Sequence, residues 1–237
     1  MMPRLTPEEP FDLVHVGKCG GSSVVEELRG RGFQFEHFHM RRPLPAPGHQ
    51  YVVLVRDPVA RFVSAFNWRR HLLENDLLPA ARKEDAIARL RHRSEGEFLT
   101  MFTDADDFAT RLVRGNRFEG SPMGTMMTLI GHVPQGFAWY LGGLLDQLEP
   151  GQLAGVIATE RLGDDFERLF GFRPTAERNR MPAARGTSLS AAGRANLARE
   201  FAEEYRILER LAGLADEAGV VMSVRYDPAA GAVPNPV

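Results

Sequence analysis

Two periods of apolar residues succeed one another along this chain. Tyr51 to Val55 (YVVLV) is an unbroken apolar run, the pattern of a strand covered on both faces of a parallel sheet. Phe11 to Val16 (FDLVHV) and Leu153 to Ala158 (LAGVIA) share that character, and Phe33 to Met40 (FQFEHFHM) has the length and aromatic content of a further strand. Between the strands the period lengthens to that of a helix. Ser22 or Ser23 can cap a helix carrying Val24, Val25 and Leu28 that stops at Gly30 or Gly32. Asp57-Pro58 joins an N-cap residue to a proline at the first helical position, and Phe62, Val63 and Phe66 lay a buried stripe on the helix that follows. From about Leu77 to Gly136 the pattern is mostly helical and charged. Ser188 or Ser190 can cap a long helix from Ala191 to about Gly213, with Leu197, Phe201, Tyr205, Leu208 and Leu211 on its apolar face. From Asp227 onward the Pro, Gly and Ala content predicts a loose tail.

Strands alternating with helices predict an α/β protein, a three-layer α/β/α arrangement around a mainly parallel sheet. The 237 residues, 43% hydrophobic and 25% charged, suit one domain, with residues 77–136 as a helical insertion. A formal charge of −2 gives no global attraction to nucleic acid or an anionic membrane, so any anion site must be built locally. The single cysteine, Cys19, closes neither a disulfide nor a cysteine zinc site and suits a reducing cytoplasm. Met1 to Pro10 lacks the apolar run of a signal segment, and no later stretch approaches the ~20 apolar residues of a membrane span. The expectation is a soluble cytoplasmic protein.

In open parallel sheets ligands bind beyond the carboxyl ends of the strands, where Lys18, the Glu36 to His39 cluster and Arg56 are all expected. The first of these positions is a glycine-rich turn, Gly17 to Gly21 (GKCGG), between a strand and a helix N-terminus. Free backbone N–H groups and the positive helix end make that an anion site; Gly20 and Gly21 allow close approach, and Ser22 and Ser23 supply hydroxyls. The nucleoside triphosphatase pattern G-x-x-x-x-G-K-[ST] does not fit, because Asp12 stands at the first glycine and Cys19 at the Mg²⁺-binding hydroxyl. A cysteine-phosphatase loop fails at Val25, where it needs arginine. An ordinary turn with a solvated lysine is the bland alternative. The second position is V55-R-D-P-V-A-R-F-V-S-A-F66. Arg56 ends a buried strand and Ser64, eight residues on, lies two turns into the next helix, a geometry suited to holding one phosphate. A helix start with Arg56 paired to a carboxylate reads the same residues structurally.

Together HVGKCGGSS and VRDPVARFVSAF resemble the two cofactor signatures of sulfotransferases that use 3′-phosphoadenosine 5′-phosphosulfate (PAPS), in particular the carbohydrate and bacterial branch with the uronyl 2-O-sulfotransferases. The resemblance covers about residues 11–70. It implies a P-loop-like phosphosulfate loop of Lys18, Cys19, Gly20, Gly21, Ser22 and Ser23, with Cys19 where threonine is commoner, and a 3′-phosphate site of Arg56 and Ser64. Arg185, before Gly186, is a further candidate for that phosphate, and Thr159-Glu160-Arg161 with Asp164, Asp165 and Phe166 resembles a later family segment. The activity implied is metal-independent transfer of a sulfuryl group from PAPS to a hydroxyl or amine, leaving 3′,5′-ADP (PAP), with a carbohydrate as one candidate class of acceptor.

Such a transfer needs a base for the acceptor proton and stabilisation of charge on the leaving phosphate, the latter falling to Lys18. Glu36, His37 and His39 sit at the expected end of the second strand, and His37 and His39 match the H-x-H pair of the 2-O-sulfotransferase branch. Alternation puts His37 and His39 on one face and Glu36 on the other. His37 is the first candidate, with His39 and Glu36 behind it; ordinary strand-end residues are the alternative. Arg69-Arg70-His71 and Arg89-x-Arg91-His92-Arg93 could receive an anionic acceptor or be solvated helix faces. Asp104-x-Asp106-Asp107 lacks the glycine and distal glutamate of a calcium loop and reads as a helix cap. Two other functions compete: an ATP-dependent small-molecule kinase, and a non-catalytic nucleotide-binding module on the same fold.

Overall fold

The computed structural model describes residues 4–75, 77, 85–112, 117–118, 121–122, 127–175 and 188–234. In chain order the elements are β1 (Phe11–His15), α1 (Gly21–Gly30), β2 (Phe35–Phe38), β3 (Tyr51–Val55), α2 (Pro58–Glu74), α3 (Ala86–Leu99), α4 (Ala105–Thr110), β4 (Arg117–Phe118), β5 (Ser121–Pro122), α5 (Phe137–Leu145), β6 (Leu153–Ala158), α6 (Leu162–Phe170), α7 (Ala191–Glu200), α8 (Ala202–Ala218), β7 (Val224–Asp227) and β8 (Gly231–Pro234). The chain divides into two compact units, one of Met1–Asp57, Gln135–Arg180 and Ala202–Val237, the other of Pro58–Pro134 and Met181–Phe201. The helical segment expected at 77–136 falls mostly within the second unit, which takes in α2 as well.

The first unit is α/β. Its four-stranded parallel sheet has the order β2-β1-β3-β6. Every residue of β1 and β3 is buried, so both faces are covered, compatible with a three-layer helix, sheet, helix arrangement. Val24 and Leu28 of α1, Phe137 and Leu141 of α5, Phe166 of α6 and Leu208 and Leu211 of α8 join the strands in one apolar core. Since β2 lies on one side of β1 and β3 on the other, the chain reverses direction across the sheet there. The carboxyl ends of β1 and β3 thus flank the crevice where open α/β sheets take ligands. Among the described residues no helix is long and apolar enough to cross a membrane.

Two expectations fail near the C-terminus. The single long helix is two: Ser190 caps α7 as expected, accepting from the Gly193 N–H at 3.1 Å, but the backbone leaves helical geometry at Phe201 (φ −93°, ψ 19°) before α8 begins. In the sequence Leu197, Phe201, Tyr205, Leu208 and Leu211 keep a helical spacing through position 201, which is why periodicity does not reveal the break. The loose tail is instead a hairpin, β7 pairing antiparallel with β8. Its turn is specified locally, because the Asp227 carboxylate accepts from the Ala229 N–H at 2.8 Å and Gly231 takes a left-handed φ of 86° that closes the loop.

In the second unit the stripe on α2 is buried as its spacing implies: Phe62 and Phe66 pack on Phe108 of α4 with ring centroids 5.1 and 5.8 Å apart. Asp104 caps α4, its Oδ1 accepting from the Asp107 N–H at 2.8 Å. Arg69 does not face an acceptor. It is buried in a two-pronged ion pair with Glu95 of α3 (2.7 and 2.5 Å), and Glu95 Oε1 also accepts from the Gly131 N–H at 2.8 Å. Arg70 donates to the Phe102 carbonyl at 3.1 Å and pairs with Glu74. Removing one member of a buried pair strands the other charge, so Glu95→Ala is expected to cost about 3–5 kcal/mol in urea denaturation. The double variant Arg69→Met, Glu95→Leu is expected to cost less than either single change; a larger cost would mean that the pair is a strong net stabiliser.

Candidate functional site

The strand and turn residues at the carboxyl end of β1 build a loop with two left-handed positions, Lys18 (φ 71°) and Gly20 (φ 75°). For lysine that conformation costs on the order of 1–3 kcal/mol and persists only where neighbours hold it. Here Arg56, leaving β3, donates from Nη1 to the Lys18 carbonyl at 3.1 Å. The Cys19 N–H closes the turn on the Val16 carbonyl at 3.2 Å. Gly20 is the N-cap of α1 and has no side chain to satisfy the first-turn N–H groups; no acidic residue stands in that turn. The N-cap thus leaves the first-turn N–H groups without a side-chain cap at the positive end of the helix. Ser22 is exposed and Ser23 is buried at 9% exposure. The Cys19 side chain is fully buried in the apolar core, so any contribution it makes to the loop comes from its backbone.

A histidine that the strand pattern alone did not single out lies beneath this loop. His15, the last residue of β1, is 6% exposed, and a Cβ at position 21 would stand only 2.2 Å from its Cδ2. Only glycine fits against that ring. His15 Nδ1 lies 3.0 Å from His37 Nε2 on β2, and the His15 carbonyl accepts from His39 Nδ1 at 3.2 Å. The rings of His15 and His39 stack with centroids 4.2 Å apart, and those of His37 and His39 lie at 5.8 Å, within 6° of parallel. The H-x-H pair thus shares one face, as alternation requires. Burial first, then the charges of His39, Arg29 and Arg41, lowers the His37 pKa from 6.5 to about 4. Glu36 does not join the cluster: it is exposed and paired with Arg41.

The rest of the rim is tied together by groups distant in sequence. Thr159 Oγ1 donates to the Val55 carbonyl at 3.0 Å, linking the ends of β6 and β3. Glu160 accepts from the Asp57 N–H at 2.9 Å with one oxygen and from the Tyr226 hydroxyl at 2.9 Å with the other. Burial and the adjacent Glu160 carboxylate push the Tyr226 phenol well above its ordinary pKa, so it stays a neutral donor. Asp57 Oδ2 in turn accepts from the Tyr205 hydroxyl at 2.7 Å. Asp165 anchors the end of β6, accepting from the Ala158 N–H at 2.9 Å and the Ser223 hydroxyl at 2.7 Å. Ser64 is half-buried on α2, in the second unit. Arg185 lies outside the described residues. Among the described residues no group of three or more His, Cys, Asp or Glu side chains is arranged to hold a metal ion. Lys18, Gly20, Gly21, Arg56, His37 and His39 thus share one rim.

Comparison of the chain with family models, with curated proteins and with solved structures gives no match.

Gly21→Ala is expected to destabilise the protein by about 1–3 kcal/mol, because the His15 ring cannot retreat without breaking its stack and its bond to His37. Gly30→Ala, at the other end of α1 with nothing within 4 Å of a new Cβ, is expected to be neutral or stabilising by up to about 1 kcal/mol. Equal effects in chemical denaturation would remove the steric argument. A second expectation concerns acid. Between pH 6.5 and about 4 the unfolded chain protonates His37 while the folded chain does not, so this contribution is whole above about 6.5 and lost as the pH falls toward 4. His37→Gln should flatten the stability profile in that window, and an unchanged slope would contradict the burial argument.

Proposed function

We propose that this chain is a PAPS-dependent sulfotransferase. The observation that carries the reading is the strand, left-handed loop and uncapped helix N-terminus at the crevice between β1 and β3, built directly over a histidine cluster. Backbone N–H groups at the start of α1, the ammonium of Lys18 and the Ser22 and Ser23 hydroxyls would hold the 5′-phosphosulfate, in what is then a P-loop-like phosphosulfate loop. Arg56, which commits one nitrogen to the Lys18 carbonyl, has further donors for the 3′-phosphate, with Ser64 as its partner in the resemblance. The same contact couples the two subsites, since Arg56 also fixes the loop.

In the transfer the acceptor oxygen bonds to sulfur as the sulfur to phosphate-oxygen bond breaks, and the acceptor proton passes to a base. Positive charge from Lys18 and the helix end offsets the charge that grows on the departing phosphate. The geometry favours His39 over His37 as that base. A carbonyl only accepts, so the bond from His39 Nδ1 to the His15 carbonyl leaves the basic lone pair on Nε2. His37 already engages His15 through Nε2 and binds a proton only near pH 4. Glu36, the third candidate, is on the opposite face with Arg41. A hydroxyl or amine acceptor, a carbohydrate among the candidates, fits this chemistry.

PAP without added metal is expected to raise the melting temperature, and Lys18→Ala to weaken its binding at least tenfold, a loss in the range of a charged hydrogen bond. Stabilisation by ATP with Mg²⁺ and none by PAP would replace this reading with the kinase. Binding of PAP with no transfer to any of a panel of hydroxyl and amine acceptors would leave a nucleotide-binding module.

A further inference from the structure

Arg56 is held through its backbone as well as through its bond to the Lys18 carbonyl. Val55 pairs with Ala158 in the parallel register of β3 and β6, so the chain leaves both strands at one level and Thr159-Glu160 comes to lie beside Arg56. The two residues take hold of it from either flank. Thr159 Oγ1 donates to the Val55 carbonyl at 3.0 Å, and Glu160 Oε1 accepts from the Asp57 N–H at 2.9 Å. The peptide groups before and after Arg56 are thus anchored to one dipeptide. The second oxygen of Glu160 accepts from the Tyr226 hydroxyl of β7 at 2.9 Å. The same turn braces the glycine loop, because a Cβ at position 20 would stand 2.7 Å from Leu162 Cδ1 and 3.9 Å from Thr159 Cγ2. Loop and arginine therefore rest on one short turn between β6 and α6.

We propose that Thr159, Glu160 and Tyr226 are positioning residues that aim the Arg56 guanidinium, so that the C-terminal hairpin sets how well the protein tells a nucleotide carrying a 3′-phosphate from one without it. The proposal rests on the PAPS reading for the identity of that nucleotide. Its physical basis is orientation. A guanidinium fork matches a phosphate only over a narrow range of angles, and an arginine stem is long and flexible. Here the stem is fixed at both ends, by the clamped peptide groups at its base and by the Lys18 carbonyl at its tip. Less rotamer freedom is then lost when a phosphate binds, which strengthens binding without a new contact. Tyr226 keeps Glu160 in place as a neutral donor, since burial and the carboxylate itself raise its pKa. The hairpin therefore reaches Arg56 through two successive hydrogen bonds and touches no ligand itself.

The test compares PAP with 5′-AMP, which lacks the 3′-phosphate, by calorimetric titration. The parent should bind PAP at least about tenfold more tightly. That ratio should fall about tenfold in Glu160→Ala, which loses both bonds, and about threefold in the near-isosteric Thr159→Val and Tyr226→Phe, with 5′-AMP affinity unchanged in each. Glu160→Gln, whose amide can accept from the Asp57 N–H and donate to the Tyr226 oxygen, should keep the parent ratio. In an Arg56→Ala background the same changes should have no further effect on PAP, the coupling expected of residues that act through that side chain. Equal losses for both nucleotides, or losses that simply add to that of Arg56→Ala, overturn the proposal. Tighter PAP binding in Glu160→Ala also overturns it, since the carboxylate would then only repel the ligand. A parent with no preference for PAP defeats the 3′-phosphate reading by itself. The ¹⁵Nε relaxation of Arg56 in the ligand-free protein then decides the positioning role: loss of order in Thr159→Val and Tyr226→Phe supports it, and order equal to the parent's overturns it.

Discussion

The close approach of His15 to Gly21 governs the candidate site. An imidazole fills the volume that any side chain at position 21 would need, so the start of α1 can settle directly onto the end of β1. The short loop between them passes through left-handed positions at Lys18 and Gly20. Packing density in protein interiors leaves no slack to absorb a methyl group at such a contact. The same ring reaches the edge strand through His37 and His39, so the anion-facing loop and the imidazole cluster share a single support.

A second set of contacts holds the other side of the crevice. Glu160 joins the backbone just past β3 to the C-terminal hairpin through Tyr226, and Asp57 is bound to Tyr205 of α8. Charged acceptors satisfied by neutral donors make strong bonds without an opposing cation. Arg56 is shared between architecture and candidate chemistry, so any ligand that draws on its remaining donors also pulls on the Lys18 carbonyl.

Much of the architecture was legible in the sequence because its signals are local. Tyr51–Val55 and Leu153–Ala158 form strands over the ranges their apolar runs predict, and the glycine turn and Pro58 mark the starts of α1 and α2. The histidines of β2 fall on one face because a strand has a period of two. What stayed hidden is long-range. His15 reads as one more residue of a buried strand until β2 pairs in parallel beside it, 22 positions on. The Asp57 to Tyr205 bond spans 148 positions, which no window of sequence contains. Phe201 carries no glycine or proline to announce the helix break, and Arg69 looks like a solvated cation until Glu95 is brought to it.

The placement of β6 bears on how the protein is made. Its partner β3 ends at Val55, yet Ala158, which pairs with that residue, follows more than a hundred positions later, and the chain passes through the second unit in between. Pairing at such separation is slow because a long loop must close before the contact repays it. During synthesis β1, β2 and β3 emerge well before the strand and helices that complete their cover, and their apolar residues wait in the meantime. Of the first unit's strands, β3 is then the exposed central edge, most open to wrong partners and to the chaperones that shield such surfaces.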